Sequence, residues 1–236
     1  MKILYDNKAI NASLSATNPD DSFPIQNIVD RFLEKRFQSI TTSTVITILF
    51  SMDTDISCIS LGYHNLSAAT YELKNSAGTS LLTGSLVIAY DTDMTYFTET
   101  SCRSVELTLT SLTTLYIGGV GVGTTLDIDY INTNPRIDYS PRDTKTIYRG
   151  GQATTIRTKP IFNYRATVGD ISRSLLGEIY DMIDTVGQWQ PVYFDIYEYN
   201  HAEQRPIYGL LGGDNQFVRD SFSQDYSGTI TCEETR

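Results

Sequence analysis

Ser43-Thr-Val-Ile-Thr-Ile-Leu-Phe50 is dense in β-branched residues and reads as a strand. Ile56-Ser-Cys-Ile-Ser-Leu61 follows as a second strand, closed by the turn-like Gly62-Tyr-His-Asn65. Thr70-Tyr-Glu-Leu73 then runs into the polar turn Lys74-Asn-Ser-Ala-Gly78, where glycine takes a positive φ at little cost. Leu86-Val-Ile-Ala-Tyr90 and Ser104-Val-Glu-Leu-Thr-Leu109 are the next strands, and alternation puts Val105, Leu107 and Leu109 on one face. Leu115-Tyr-Ile117 closes the set. The one helical stretch, Pro24-Ile-Gln-Asn-Ile-Val-Asp30, is short and begins with proline at a first-turn position. Short strands separated by turns at this spacing predict a sandwich or barrel.

Gly118-Gly-Val-Gly-Val-Gly123 is the window richest in glycine. It holds neither G-x-G-x-x-G nor G-x-x-x-x-G-K-[S/T], and no helix follows it to aim an N-terminus at a phosphate. It reads as a hinge or a tight backbone crossing. The boundary between two β-rich units is placed just beyond it, near Thr124–Thr125, which gives domains 1–123 and 124–236.

The second unit opens with strand signals at Ile128–Ile131, Thr144–Tyr148, Ala153–Arg157 and Pro160–Thr167. The period then changes. Ile171, Leu175, Leu176, Ile179, Met182, Ile183 and Val186 recur at intervals of three and four. That predicts one amphipathic helix over about 170–186, with Asp170 as its N-cap and Gly187 just past its end. Val192–Tyr199, Pro206–Leu211 and Gly228–Glu233 supply further strands.

Composition narrows the function classes. The 236 residues carry a formal charge of −10, with 40 % apolar and 19 % charged residues. An acidic surface cannot neutralise phosphates, so nucleic acid is excluded as a partner, and an anionic membrane surface likewise. No apolar run reaches 18 residues, and the N-terminus turns polar after three apolar residues, so neither a spanning helix nor a signal peptide is expected. Cys58, Cys102 and Cys232 are too few and too scattered for a disulfide framework or a zinc site, and read as buried free thiols. The sequons at Asn11 and Asn65 are read as coincidence. Together these features predict a soluble protein of a reducing compartment.

Few residues suggest catalysis. The two histidines differ in setting: His64 lies in a turn after a strand, and His201 in the polar run Asn200-His-Ala-Glu-Gln-Arg205. No nucleophile elbow or cysteine dyad is present. Asp53/Asp55, Asp91/Asp93 and Asp127/Asp129 put paired carboxylates on one face of a strand, as either a Ca²⁺ edge, a glycosidase fragment or solvated charge. None extends into a full calcium-loop pattern, although Asp53/Asp55 keeps a calcium option as part of a loop. No catalytic residue, cofactor or metal is therefore assigned. Sixteen tyrosines offer binding surface, and Tyr193, Tyr197 and Tyr199 lie opposite Val192, Phe194 and Ile196. If the latter face the core, these three tyrosines form a candidate interface.

Two stretches of the first unit resemble the discoidin-like, galactose-binding-like sandwich found in tailed-bacteriophage proteins. One runs from Ala12-Ser-Leu-Ser-Ala16 through Pro24–Asp30 to Arg36-Phe-Gln-Ser39, with Phe37 where that family often has Trp. The other joins Val45–Phe50, Ile56–Leu66 and Ala69–Leu73, including the His64-Asn-Leu66 turn. The second unit resembles phage minor tail and distal-tail proteins through Leu115-Tyr-Ile-Gly-Gly, paired strands, one helix and Trp189-Gln-Pro-Val-Tyr-Phe-Asp. The resemblance implies a mainly β, non-enzymatic virion protein of the tail tip or baseplate, with a tail-tube-like second sandwich. Its implied partners are copies of itself in a ring and neighbouring tail-tube and baseplate-hub proteins. The alternative is a carbohydrate-binding module whose first-domain loops hold a host-surface glycan, marked by convergent polar groups beside exposed aromatics.

Overall fold

A computed structural model describes residues 1–128, 136–140, 144–147, 153–156, 161–187, 189–196, 206–212, 215, 217–219 and 225–235. In chain order the strands are β1 (Lys2–Leu4), β2 (Ser13–Ala16), β3 (Phe37–Gln38), β4 (Ser43–His64), β5 (Leu66–Lys74), β6 (Ser80–Ser85), β7 (Thr92–Ser111), β8 (Tyr116–Gly123) and β9 (Leu126–Asp127). They continue as β10 (Arg136–Ser140), β11 (Thr144–Ile147), β12 (Ala153–Ile156), β13 (Ile161–Ile171), β14 (Val192–Asp195), β15 (Ile207–Leu211), β16 (Phe217–Arg219) and β17 (Tyr226–Glu234). The helix α1 (Arg173–Val186) lies between β13 and β14, and Ile25–Val29 forms a short 3₁₀ turn.

The fold is mainly β and sandwich-like. One antiparallel sheet has the order β3-β8-β4-β7-β5-β6, with β2 beside β4; the other runs β10-β13-β17-β15-β14-β1-β9, with β16 on β17. The two segments read as separate strands at Ser43–Phe50 and Ile56–Leu61 are one long strand. β4 stays paired with β7 through register shifts between Leu49 and Thr54 and between Ile56 and Cys58. Those bulges bend the pair, so that β2 flanks the first half of β4 and β8 its second half. The bend wraps a core in which Ile46, Ile48, Ile56, Ile59, Val105, Leu107 and Leu109 are all buried. Each such side chain contributes about 1.5–3 kcal/mol of burial.

Leu86–Tyr90 is not a strand. Its amides are taken by side chains instead: Val87 N–H donates to Thr95 Oγ1 at 2.9 Å, and the Ala89 and Tyr90 amides donate to the Asp93 carboxylate at 3.0–3.2 Å. The edge strand here is Ser80–Ser85.

The glycine window is a strand as well as a close crossing. Val120 and Val122 point into the first core, while Gly119 and Gly121 pave the opposite face. A Cβ at Gly121 would lie 2.5 Å from the Tyr193 ring, and one at Gly119 would lie 2.7 Å from Leu33. Through this seam Leu4, Leu33, Cys58, Met94, Tyr193 and Tyr208 form a third core between the sheets. Tyr96 Oη donates to the buried Asp195 carboxylate at 2.6 Å, adding a polar tie across the same seam.

β1 pairs with β14 on one side and β9 on the other, so residues 2–4 sit in the second sheet. The domain range 1–123 would have placed them in the first. α1 covers the far face of the second sheet with Leu176, Ile179, Met182 and Val186. Its N-cap is Ser172, whose Oγ accepts from Leu175 N–H at 3.2 Å, not Asp170. The strand β13 continues through Ile171, and Asp170 falls in the register shift between Val168 and Ile171 with a left-handed φ of 52°. Among the described residues no helix is long and apolar enough to cross a membrane.

Candidate functional site

The C-terminus of α1 builds one wall of a groove. Gly187 adopts φ of 54° and its N–H donates to Ile183 O at 2.8 Å, turning the chain at a conformation that suits glycine. The amides of Trp189 and Gln190 then reach back to Val186 O, at 3.5 and 3.1 Å. This short return loop carries Trp189 outward with 76 % of its surface exposed.

The facing wall is the segment Asn7–Ile10. The Asn7 side chain fixes it by accepting from the amides of Ala9 and Val122 at 3.1 and 3.0 Å and donating to Val120 O at 2.9 Å. Ile28, Val29 and Arg31 close a third side, over a floor of Leu4, Val120, Tyr193 and Tyr208. The enclosed volume is about 420 Å³, which falls within the range of small-ligand sites.

The polar groups of this groove divide by commitment. Asn7 is spent on the backbone, Thr185 Oγ1 donates to Asp181 O at 2.7 Å, and Tyr208 Oη donates to Asp30 O at 3.3 Å. Gln190 Nε2 reaches Tyr5 O at 3.5 Å, so its carbonyl oxygen can accept from a ligand. The Arg31 guanidinium stacks 4.6 Å from the Phe32 ring and pairs with no carboxylate among the described residues. A flat aromatic face, a planar donor fork and an amide acceptor therefore meet above an apolar floor. Chemically the groove can hold a small amphipathic ring by stacking and a few directed hydrogen bonds.

A second, more open cleft of about 580 Å³ has the opposite character, with Asp6, Asp53, Asp55 and Glu99 against Lys8. Lys8 is already paired with Asp6. Asp53 and Asp55 lie within β4 at its bulge, not in a loop. No three His, Cys, Asp or Glu among the described residues are grouped to hold a metal ion.

Of the other acidic pairs, Asp93 is buried, at 2 % exposure, and organises the Leu86–Tyr90 loop. Asp127 pairs with Lys2 at the sheet edge. Asp129 and His201 lie outside the described residues. The buried His64 accepts from Leu66 N–H through Nδ1 at 3.3 Å, and its Nε2 lies 3.3 Å from Asp93 Oδ2 without hydrogen-bond alignment. Its place is inside the loop scaffold. The three cysteines are buried free thiols. Burial pushes the Cys58 thiol up to about 12 and that of Cys102 up to about 11, which keeps both protonated and unreactive near neutral pH.

Of the candidate interface, Tyr193 is not exposed. It lies opposite Phe194 as the alternation required, but that second face is covered by β8, leaving Tyr193 only 2 % exposed, with its ring tilted at 57° to that of Tyr208 and 4.9 Å from it. Its partner is the first sheet of the same chain. Tyr197 and Tyr199 lie outside the described residues. Sequence pattern assigns Arg31 no role, and Trp189 enters only as part of the stretch that carries the tail-protein resemblance, not as a binding residue. The only available signal was that Trp189 is the single tryptophan and directly follows a helix end.

No protein-family model and no curated protein matches this chain. Solved structures do resemble it. Chitosan-binding module 1 of a chitosanase/glucanase from Paenibacillus sp. IK-5 is 18 % identical, with a TM-score of 0.43 over 49 % of this chain and 97 % of that one. The lectin domain of lectinolysin, complexed with Lewis B antigen, is 15 % identical, with a TM-score of 0.45 over 50 % and 96 %. A fucose-binding module of Streptococcus pneumoniae is 12 % identical, with a TM-score of 0.44 over 50 % and 94 %. These neighbours are carbohydrate-binding modules, and each resembles about half of this chain.

Proposed function

We propose that this chain is a glycan-binding protein whose site is the groove between the two sheets. The observation that carries the reading is Trp189, held 76 % exposed at the rim of a groove of about 420 Å³. An exposed indole beside a concave surface offers a large, rigid contact face at modest entropic cost. A pyranose matches such a site because its C–H face stacks on an indole while its hydroxyls meet polar groups at the ring edge. Arg31 and Gln190 are those groups here. The sequence reading had placed a glycan in the loops of the first domain; the groove instead draws residues from both sheets.

A glycan array probed with the wild-type chain and with Trp189→Ala tests the proposal. Since Trp189 is exposed, the variant folds, and the expected result is discrete hits that weaken at least tenfold, the loss of a central aromatic anchor. An array without hits, or hits indifferent to the substitution, would refute it.

A second reading, structural assembly within a phage tail tip, is favoured by one feature. The edge strand β6, Ser80-Leu-Leu-Thr-Gly-Ser85, carries no charge and no proline, two of the devices that usually block edge-to-edge pairing, although its pairing with β5 shifts register near Leu81. If the chain assembles through this edge, Leu81→Lys, at a side chain 44 % exposed, breaks its rings or filaments without lowering its melting temperature appreciably. Assembly that survives the substitution counts against the edge.

A further inference from the structure

We infer that the groove prefers an acidic sugar, one bearing a carboxylate such as a uronic or sialic acid, and that Arg31 selects it. The inference rests on the glycan reading of the same groove. Among the described residues that line it, Arg31 is the one formally charged side chain. That is unexpected for a chain of net charge −10. The contrast with the second cleft, lined by four carboxylates and one already paired lysine, shows that the acidic groups are gathered elsewhere.

Arg31 adds to the positive field that holds the neighbouring Asp30 ionised but makes no ion pair with a carboxylate among the described residues. The neighbouring carboxylate, Asp30, is engaged by Lys35 Nζ at 3.1 Å and by the Phe32 amide at 3.0 Å. The guanidinium lies over the Phe32 ring, a cation–π contact that occupies none of its N–H donors. A planar fork of this kind fits a carboxylate with two parallel hydrogen bonds, which a hydroxyl cannot reproduce. The overall negative charge does not forbid this, because at physiological ionic strength fields are screened beyond about 8 Å. What an incoming carboxylate meets at close range is the groove, where the one charge among the described lining residues is positive.

Two matched pairs test the preference: sialyllactose against lactose, and tetragalacturonate against its methyl ester. Each is titrated into the full chain and into Arg31→Gln, Arg31→Lys and Lys74→Gln. The acidic member should bind about tenfold or more tightly than its neutral partner in at least one pair, the usual worth of a charge-assisted pair over a neutral one. Arg31→Gln should bring that ratio close to one, and Arg31→Lys should retain part of it. Lys74→Gln removes the same charge from β5, outside the groove, and should leave the ratio unchanged; an equal fall there would assign the effect to net charge and overturn the role of Arg31. Equal binding of acid and neutral sugar, or a preference that survives Arg31→Gln, overturns the acidic preference and leaves the glycan reading standing. Binding of neither member of either pair also overturns the preference, and the glycan array with Trp189→Ala then decides the reading beneath it separately.

Discussion

Gly121→Ala adds one methyl group at the most crowded point of the seam. Its Cβ would lie 2.5 Å from Tyr193 Cε2 and 2.8 Å from both Leu4 Cδ2 and Tyr193 Cδ2. None of these can retreat freely, because the Tyr193 ring is fully buried and packs against Tyr208, and Leu4 is buried in β1, which is held between β14 and β9. Overpacking of this kind costs about 1–3 kcal/mol. For a chain of this size the middle of that range lowers the melting temperature by about 4–8 °C. Gly177 provides the matched comparison. It sits in α1 with nothing within 4 Å of its would-be Cβ, so Gly177→Ala should stabilise by about 0.5–1 kcal/mol through helix propensity alone. Urea denaturation of both variants should give shifts of opposite sign. Repeating Gly121→Ala in a Tyr193→Val background should recover about 0.5–3 kcal/mol of its cost, since the ring it strikes is gone. If Gly121→Ala is as harmless as Gly177→Ala, or its cost is unchanged without Tyr193, the packing account of the seam is refuted.

Other expectations follow from the helix and from the buried thiols. Leu176→Ala should cost about 2–5 kcal/mol by opening a cavity beneath α1. Ser172→Ala should cost about 0.5–2 kcal/mol as the loss of the cap, whereas Asp170→Gly should be neutral or stabilising because it relieves a positive φ; chemical denaturation of the three variants checks the order. The alkaline limb of stability should be steep. The unfolded chain releases the Cys58 and Cys102 protons from about the ordinary value of 9.0, whereas burial holds them in the folded chain to about 12 and about 11. The unfolded state then binds fewer protons, so stability is full below pH 9 and falls by about 1.4 kcal/mol per pH unit per thiol above it. Cys58→Ala should lose stability less steeply between pH 9 and 11; an unchanged slope would show that this thiol is not the cause.

The parts of the fold that local pattern dictates were legible. Val105, Leu107 and Leu109 share a buried face as their alternation required, and the spacing of Leu176, Ile179, Met182 and Val186 marks the covered stripe of α1. What failed did so where side chains outside the pattern, near or far in the chain, decided the outcome. Leu86–Tyr90 has the composition of a strand, but Asp93 and Thr95 claim its amides. The window Gly118–Gly123 lacks strand propensity, yet Val120 and Val122 anchor it while its glycines make room for Tyr193. The outward face of Tyr193 was derived from one strand, and only the docking of two sheets buries it. The groove was illegible for the same reason. Its residues come from Asn7–Ile10, Ile28–Arg31 and Thr185–Pro191, and nothing within any one of these segments signals the others.

Because the chain has a single tryptophan and that residue stands at the rim of the groove, its fluorescence tests the central claim most directly. Emission of the full chain would be followed during titration with a glycan selected from the array, with acrylamide quenching measured at both ends. Occupation of the groove predicts a blue shift that saturates with the binding isotherm, together with a fall in quencher access to Trp189. A glycan that binds while the emission maximum and the quenching constant stay fixed would place the site elsewhere and contradict the account.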